Sequence, residues 1–309
     1  MSLGCGYVRF EEFYHPDGEP APRIIGNYKE LYNSKVVVVS RIKYPTTGEK
    51  IALTLHNFSR LVSNLSDEEL YHAKSVDVLL PYFLLGRQDQ NPKTDKDEDV
   101  RIRDKGRDIG YKSLIKTLKG NGANRIVTFN PHFHVSEGSF SEYGLDIVSL
   151  SGIPVIGKYF NGKLKNDTVV IGRDKKVNKL AIQVAKMLNL KEAHSLPKKR
   201  LSGTEVKYES KFDANGRDIL AIDDCTTGGG IQPFLDRLIN PGNVYFSVIH
   251  STLSKDGLET VRSMLNCGQI KEVVATNTTI SEFSKLNILS EVVRFYKEKD
   301  IDDLLHILT

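Results

Sequence analysis

The chain has 309 residues, of which 39% are hydrophobic and 27% are charged. This composition supplies enough apolar side chains for two folded domains of ordinary size, so disorder of the whole chain is excluded. The net charge of +4 is a mild excess, which argues against a dedicated nucleic-acid-binding protein but is compatible with an anionic small molecule as the ligand.

The longest apolar stretch, residues 76–86, contains Asp77 and Pro81 and has about half of the roughly 20 residues of a membrane-spanning helix. The first ten residues do not have the pattern of a secretory signal, and the three cysteines form no CxxC pair. We therefore expect a cytoplasmic protein without a disulfide framework or a structural zinc site, and without a membrane or nucleic-acid partner.

Short apolar segments rich in β-branched residues alternate with amphipathic segments along the chain. Such alternation is typical of an α/β fold whose parallel strands are buried on both faces. The predicted strands are 36–40, 76–80, 125–129, 167–172, 218–222, 244–249 and 272–276. A helix is predicted over 177–190, and weaker helical periodicity includes 61–65 and 114–118.

The strand and helix pattern runs once to about residue 151 and then begins again, with glycines and a proline at 152–157 marking a joint. We therefore predict two similar α/β domains, 1–152 and 153–309. Two segments without a sustained apolar period, 91–107 and 191–214, are predicted to be mobile loops, and the highly charged first one is interpreted as an oligomer contact.

In the first half of the chain, polar residues follow two predicted strands. Arg87 and Gln88 come after the strand at 76–80, and the guanidinium of Arg87 offers donors suited to phosphate oxygens, although a surface ion pair is the alternative. His132 and His134 come after the strand at 125–129. A His-x-His pair is compatible with zinc, but no third ligand at a suitable spacing can be identified.

Two further polar elements belong to the second half. Asp174 follows the strand at 167–172, where its carboxylate can accept bonds from sugar hydroxyls or cap the next helix. Lys198 and Arg200 lie in a Lys-Lys-Arg run that is by itself typical of a solvated segment or a nucleic-acid contact.

The most informative segment is 217–231, a strand that ends in Asp223 and Asp224 and is followed by Thr-Thr-Gly-Gly-Gly at 226–230. Glycines let successive backbone N–H groups converge on an anion, and ligands of open α/β sheets bind beyond the carboxyl ends of strands. The two carboxylates would repel a phosphate, so we expect them to accept bonds from sugar hydroxyls or to hold the water shell of a metal. A sugar phosphate is the implied ligand; an ordinary glycine-rich turn is the alternative.

Together these elements resemble those of the ribose-phosphate diphosphokinases, also called phosphoribosyl-diphosphate synthases. The segment 217–231 is similar to the phosphoribosyl-diphosphate loop, which type I phosphoribosyltransferases also have. The segment 81–89, with Arg87 and Gln88, is similar to a signature that those transferases lack. The resemblance covers nearly the whole chain and implies two tandem phosphoribosyltransferase-like domains, each with a largely parallel central sheet flanked by helices.

The activity implied by the resemblance is transfer of the β,γ-diphosphoryl group of Mg-ATP to the 1-hydroxyl of ribose 5-phosphate, which gives phosphoribosyl diphosphate and AMP. The resemblance implies that Arg87 and Gln88 bind ATP, while Asp17 and Glu19 reach the adenine in a neighbouring subunit, so a homo-oligomer of at least two chains is expected. The implied cofactor is Mg²⁺, with His132 and Asp174 as the metal residues.

For the second domain, the resemblance implies that Lys198 and Arg200 are the catalytic residues, carried by a loop that closes over the reacting groups. The residues implied for ribose 5-phosphate are Asp174, Asp223, Asp224, Thr226, Thr227, Gly228, Gly229 and Gly230.

The sequence departs from the family pattern at several positions. His15 stands where the family has Phe, Asn130 where it has Asp, and Gly230 where a Thr is usual, and the glycine loop is one residue shorter. These departures motivate a second hypothesis, a catalytically silent subunit with a regulatory or interaction role. A phosphoribosyltransferase that consumes phosphoribosyl diphosphate is a third, which the element at Arg87 and Gln88 disfavours.

Overall fold

The structure is a computed structural model that describes residues 7–11, 13–21, 23–89, 109–134, 136–174, 176–200, 206–208, 210–298 and 304–308. The chain divides into two compact units. Unit 1 comprises Met1–Arg41, Thr47–Leu150 and Glu291–Thr309, and unit 2 comprises Ile42–Thr46 and Ser151–Ser290. No helix in the described ranges is long and apolar enough to cross a membrane.

Unit 1 contains an eight-stranded sheet. Its strands are β1 (Tyr7–Glu11), β2 (Arg23–Ile25), β3 (Lys35–Val39), β4 (Ser75–Leu80), β5 (Arg125–Phe129), β6 (Gly138–Glu142), β7 (Leu145–Leu150) and β18 (Leu304–Leu308). The strand order is β2-β1-β18-β3-β4-β5-β7-β6, and only the two edge pairs, β1 with β2 and β6 with β7, are antiparallel among these described strands. Its helices are α1 (Gly48–Ser66), α2 (Gly110–Gly120) and most of α7 (Leu289–Glu298), with a 3₁₀ turn at Tyr28–Leu31.

Unit 2 contains a six-stranded sheet. Its strands are β8 (Val169–Gly172), β9 (Glu192–Ser195), β13 (Ile219–Thr226), β15 (Val244–Ser251), β16 (Glu272–Thr276) and β17 (Ser284–Leu286). The order is β17-β16-β15-β13-β8-β9, and each of these pairs is parallel. The remaining elements are β10 (Lys198–Arg200), β11 (Val206–Tyr208), β12 (Phe212–Asp213), β14 (Leu238–Ile239), α3 (Ile153–Phe160), α4 (Asn178–Met187), α5 (Ile231–Leu235) and α6 (Lys255–Asn266).

The central strands of unit 2 are apolar because helices cover both faces of the sheet. Ile219 and Ala221 belong to a buried cluster with Phe234 of α5 and Val261 of α6. The intervening residue Leu220 is also fully buried, and α4 packs against β8 and β13. Since side chains alternate along a strand, burial on both faces removes the polar and apolar alternation that marks a half-exposed strand.

The order of the strands in unit 2 shows where a ligand is expected. From β8 the chain goes through α4 to β9 on one side, and it then returns to β13 on the other side of β8. The winding direction of the sheet therefore reverses between the paired strands β8 and β13. Ligands of open parallel sheets bind beyond the carboxyl ends of the strands at such a point.

The predicted fold class is confirmed, and all seven predicted strands are present. Two of them, 125–129 and 272–276, have the predicted bounds. The helix predicted over 177–190 is α4, which covers 178–187.

The prediction of a loop over 191–214 is wrong, because the segment contains β9, β10, β11 and β12. These strands have two to four residues each, which is too short for a hydrophobic period to be visible. The end of the chain also differs from the predicted second domain, since β18 pairs with β1 and β3 and so belongs to unit 1. The charged segment 91–107 lies outside the described residues.

Candidate functional site

The glycine-rich segment forms a turn between β13 and α5, defined here as the phosphate turn, residues 226–230. The carbonyl oxygen of Thr226 accepts bonds from the N–H and the hydroxyl of Thr252 at 3.0 and 3.1 Å. The hydroxyl of Thr226 accepts a bond from the N–H of Gly228 at 3.3 Å. These contacts fix the inner side of the turn to the end of the neighbouring strand β15.

Close packing against α6 requires glycine at two positions. Gly228 has a φ of +99°, and a Cβ built there would overlap the backbone of Gly257 in the first turn of α6. A Cβ at Gly257 would in turn overlap the carbonyl oxygen of Thr227. The turn and the helix therefore approach each other at backbone distance. Sequence reasoning missed Gly257, which follows the N-cap Ser254 in an otherwise ordinary helix start.

The outer side of the phosphate turn presents unpaired donors. The backbone N–H groups of Thr227, Gly229 and Gly230 find no acceptor among the residues that the structure describes. Gly229 is exposed, and a Cβ built there would meet nothing within 4 Å. Adjacent unpaired N–H groups at a strand end are a favourable arrangement for binding an anion.

The three predicted carboxylates differ in their surroundings. Asp223 and Asp224 are consecutive residues of β13 and so lie on opposite faces of the sheet, where they are 2% and 3% exposed. Asp223 accepts a bond through Oδ1 from the N–H of Asp224 at 3.1 Å. Asp174 is half-buried after β8, and its Oδ1 accepts a bond from the N–H of Val177 at 3.1 Å. The carboxylate of Asp174 thus stabilises the turn into α4 at the same end of the sheet.

The structure adds Arg173, which sequence reasoning missed. Its side chain is 5% exposed, and Nη1 donates to Oδ2 of Asp223 at 2.5 Å and to the hydroxyl of Thr226 at 3.3 Å. Burial opposes the charged form of Arg173, but Asp223 and also Tyr208 outweigh it and hold the pKa of the guanidinium above its usual value. An arginine directly after a buried strand was the available signal.

The Lys-Lys-Arg run at 198–200 also begins near this end of the sheet. β9 lies beside β8, and the N–H of Leu196 donates to the carbonyl oxygen of Gly172 at 3.2 Å. Two residues later β10 begins and pairs with β11, so that Lys198 lies opposite Tyr208. Tyr208 is 3% exposed and packs on Phe234 of α5. The side chains of Lys198 and Arg200 are outside the described part of the structure.

In unit 1, three predicted residues share one end of the sheet. Arg87 and Gln88 follow β4, and His132 follows the neighbouring parallel strand β5. Arg87 is exposed, whereas Gln88 is half-buried against Gly110, where a Cβ would overlap its side-chain oxygen. His134 packs its ring on Phe140 at 4.3 Å between centroids, which agrees with a structural role.

Asp17 and Glu19 belong to a separate feature, the exposed turn between β1 and β2. The N–H of Glu19 donates to Oδ1 of Asp17 at 3.0 Å, and the N–H of His15 donates to the carbonyl oxygen of Glu19 at 2.9 Å. Gly18 lies within this turn at a φ of +88°. Both carboxylates are exposed and so remain accessible to a ligand.

The described residues offer few candidate ligands for a metal ion. Within the described ranges, no three His, Cys, Asp or Glu side chains are grouped as a site for a metal ion. Mg²⁺ is commonly held by one or two carboxylates together with substrate phosphates and water, whereas zinc takes three or four protein ligands. A half-buried carboxylate at a strand end, Asp174, therefore fits Mg²⁺ that arrives with a nucleotide better than it fits zinc.

Comparison with known proteins gives a consistent result, although no family model matches the chain. The chain is 28% identical over 297 residues to the ribose-phosphate pyrophosphokinase of Thermococcus kodakarensis, covering 95% of this chain and 94% of that protein. It is 26% identical over 287 residues to the enzyme of the same name from Methanopyrus kandleri, covering 91% of this chain and 88% of that protein.

A solved structure, phosphoribosylpyrophosphate synthetase from Mycobacterium smegmatis, has the same fold as this chain. The TM-score is 0.68 at 20% identity, and the match covers 94% of this chain and 90% of the other. The resemblance drawn from the motifs is confirmed: over nearly its whole length, the chain is similar to ribose-phosphate pyrophosphokinases.

Proposed function

We propose that the protein is a ribose-phosphate diphosphokinase that transfers the β,γ-diphosphoryl group of Mg-ATP to the 1-hydroxyl of ribose 5-phosphate. The observation that carries the proposal is the phosphate turn, with three unpaired N–H groups beyond the end of β13. The names of the relatives that match nearly the whole chain support the same activity.

The sugar phosphate binds at the ends of β8 and β13. Its 5-phosphate accepts hydrogen bonds from the backbone of residues 226–230, while the sugar hydroxyls donate to Asp174 and Asp224. Asp223, whose two oxygens accept bonds from Arg173 and from the N–H of Asp224, is the third carboxylate proposed for the sugar. The sugar is thereby held at both ends, which orients its 1-hydroxyl for attack on the β-phosphorus of ATP.

The nucleotide is bound through Arg87, which pairs with phosphate oxygens, and Gln88, whose position against Gly110 is fixed by packing. Mg²⁺, when bound, would neutralise charge on the nucleotide phosphates, and the metal residues proposed from the resemblance are His132 in unit 1 and Asp174 in unit 2. Asp17 and Glu19 contact the adenine of a neighbouring subunit, so the active form has at least two chains.

Lys198 and Arg200 complete the site in this proposal. Attack on the β-phosphorus increases negative charge on the surrounding oxygens. Two cations on the hairpin formed by β10 and β11 stabilise that charge. The hairpin also excludes water, which suppresses hydrolysis of ATP. Positioning and electrostatic stabilisation account for the reaction without a covalent intermediate.

The test is an assay of AMP release from ATP and ribose 5-phosphate in the presence of Mg²⁺, with phosphoribosyl diphosphate measured in the same samples. We expect both products in equal amounts and only with all three components present. ATP hydrolysis to ADP, or no product at any enzyme or metal concentration, would contradict the proposal. Tight binding of a free nucleobase without any dependence on ATP would favour a phosphoribosyltransferase instead.

A further inference from the structure

A buried cation lies directly beneath the phosphate turn. Arg173 follows β8, and alternation along the strand places it on the same face as Val169 and Ile171, which belong to the buried cluster of unit 2. Its guanidinium also lies 5.4 Å from the centre of the Phe246 ring. A charged group with only 5% of its side chain exposed requires compensation, so its partners indicate its role.

The partners of Arg173 connect a carboxylate to the turn. Nη1 donates to Asp223 at 2.5 Å and to the Thr226 hydroxyl at 3.3 Å, and that same hydroxyl accepts the N–H of Gly228. The chain of contacts therefore runs from Asp223 through Arg173 and Thr226 into the backbone of the turn. A displacement of the guanidinium would be transmitted to the N–H groups on the outer side.

The other terminal nitrogen of the guanidinium, Nη2, lies beside Gly230. A Cβ built at Gly230 would overlap Nη2 of Arg173. The end of an exposed arginine would move aside easily, but this one is held by Asp223 and Thr226 in a buried position. Gly230 and Arg173 are therefore matched: the room that a side chain at 230 would occupy is taken by the guanidinium.

The charges of Arg173 and Asp223 also indicate a role in phosphate binding. Asp223 lies three residues before the turn, and its negative charge would oppose a phosphate that carries about −1.5 to −2 charges. Arg173 neutralises that carboxylate at hydrogen-bond distance. A phosphate can then be bound by N–H groups close to a carboxylate without a large electrostatic penalty.

We propose that Arg173 is a positioning residue for the phosphate turn, which neutralises Asp223, holds Thr226 and occupies the space beside Gly230, so that the turn binds the 5-phosphate of the substrate. This role rests on the proposed function for the identity of the substrate.

The test combines Gly230→Ala, the conservative variant Arg173→Lys, and the double variant that carries both. For each folded protein, KM is measured separately for ribose 5-phosphate and for ATP, and the affinity for inorganic phosphate is measured by calorimetry. We expect Gly230→Ala to raise KM for ribose 5-phosphate and to weaken phosphate binding at least tenfold, with KM for ATP changed less than twofold. In the Arg173→Lys background the same alanine should have a clearly smaller effect, because lysine lacks the forked group that the methyl would meet.

Equal changes in both KM values, or additive effects of the two substitutions, would overturn the proposed role. An unchanged phosphate affinity in Gly230→Ala would do the same. If the wild type binds phosphate but releases no AMP, and Gly230→Ala loses phosphate binding, the role of Arg173 stands and the proposed function fails. If the wild type neither binds phosphate nor releases AMP, both fail.

Discussion

Replacement of Arg173 with methionine is expected to lower the free energy of unfolding of the protein by about 3–5 kcal/mol. The substitution removes the guanidinium partner of a buried ion pair from Asp223, which is 2% exposed. The loss comes mainly from the missing charge pairing and not from lost volume, because methionine fills much of the volume of the arginine stem. Urea denaturation followed by circular dichroism measures it.

Two further variants separate charge from volume. Arg173→Met combined with Asp223→Asn removes both charges, and asparagine keeps the acceptor for the N–H of Asp224, so most of the lost stability should return. Arg262→Met removes an arginine from an exposed pair with Glu282 and should have little effect. A loss below about 1 kcal/mol for Arg173→Met would show that the buried pair does not stabilise unit 2 as described.

Replacement of Lys198 with alanine is expected to reduce kcat for AMP release by about 10²–10³, with little change in the KM for either substrate. In the proposed function Lys198 stabilises charge that develops around the β-phosphorus, so it should interact with the transition state more strongly than with the bound substrates. Steady-state kinetics with both substrates varied gives the separate constants.

The adjacent Lys199 provides the matched control. Positions 198 and 200 pair with 208 and 206 across the hairpin, and position 199 belongs to the other face of the ribbon because strand positions alternate. Lys199→Ala removes the same charge from the same short strand and should change kcat by less than about threefold. If the two alanine variants lose activity equally, the hairpin contributes through its overall charge and not through one positioned cation.

The parallel sheets could be predicted because burial on both faces leaves a strong signal in the sequence. Strands such as β5 and β16 are short runs of apolar, β-branched residues between polar segments, and both were located to the residue. The elements that were missed lack this signal. β10 consists of Lys198, Lys199 and Arg200 and owes its strand conformation to pairing with β11, which no local pattern reports.

The position of the last strand, β18, also could not be predicted from local sequence patterns. β18 continues the apolar pattern of a strand, but its partners β1 and β3 are more than 260 residues away in the sequence, as the pairing of His306 with Tyr7 and Val37 shows. A division of the sequence at a single joint therefore assigned 291–309 to the second domain. Pairing between distant segments is decided by tertiary packing and cannot be derived from local propensity.

For the candidate site, the residue types and their order could be predicted, but their electrostatics could not. Asp223 and Asp224 were treated as equivalent, whereas strand alternation separates them and only Asp223 pairs with Arg173. Gly230 was regarded as the loss of a hydroxyl, and the structure shows that it also leaves room for a guanidinium. Both facts depend on the neighbouring strand β8, which is about 50 residues away in sequence.

The most direct test of the central claim, that the turn at 226–230 binds the phosphate of a sugar phosphate, is a crystal structure of the protein with ribose 5-phosphate. We expect the phosphate oxygens to accept hydrogen bonds of about 2.7–3.2 Å from the N–H groups of Thr227, Gly229 and Gly230. A sugar phosphate bound elsewhere, with these three N–H groups facing only solvent, would contradict the account.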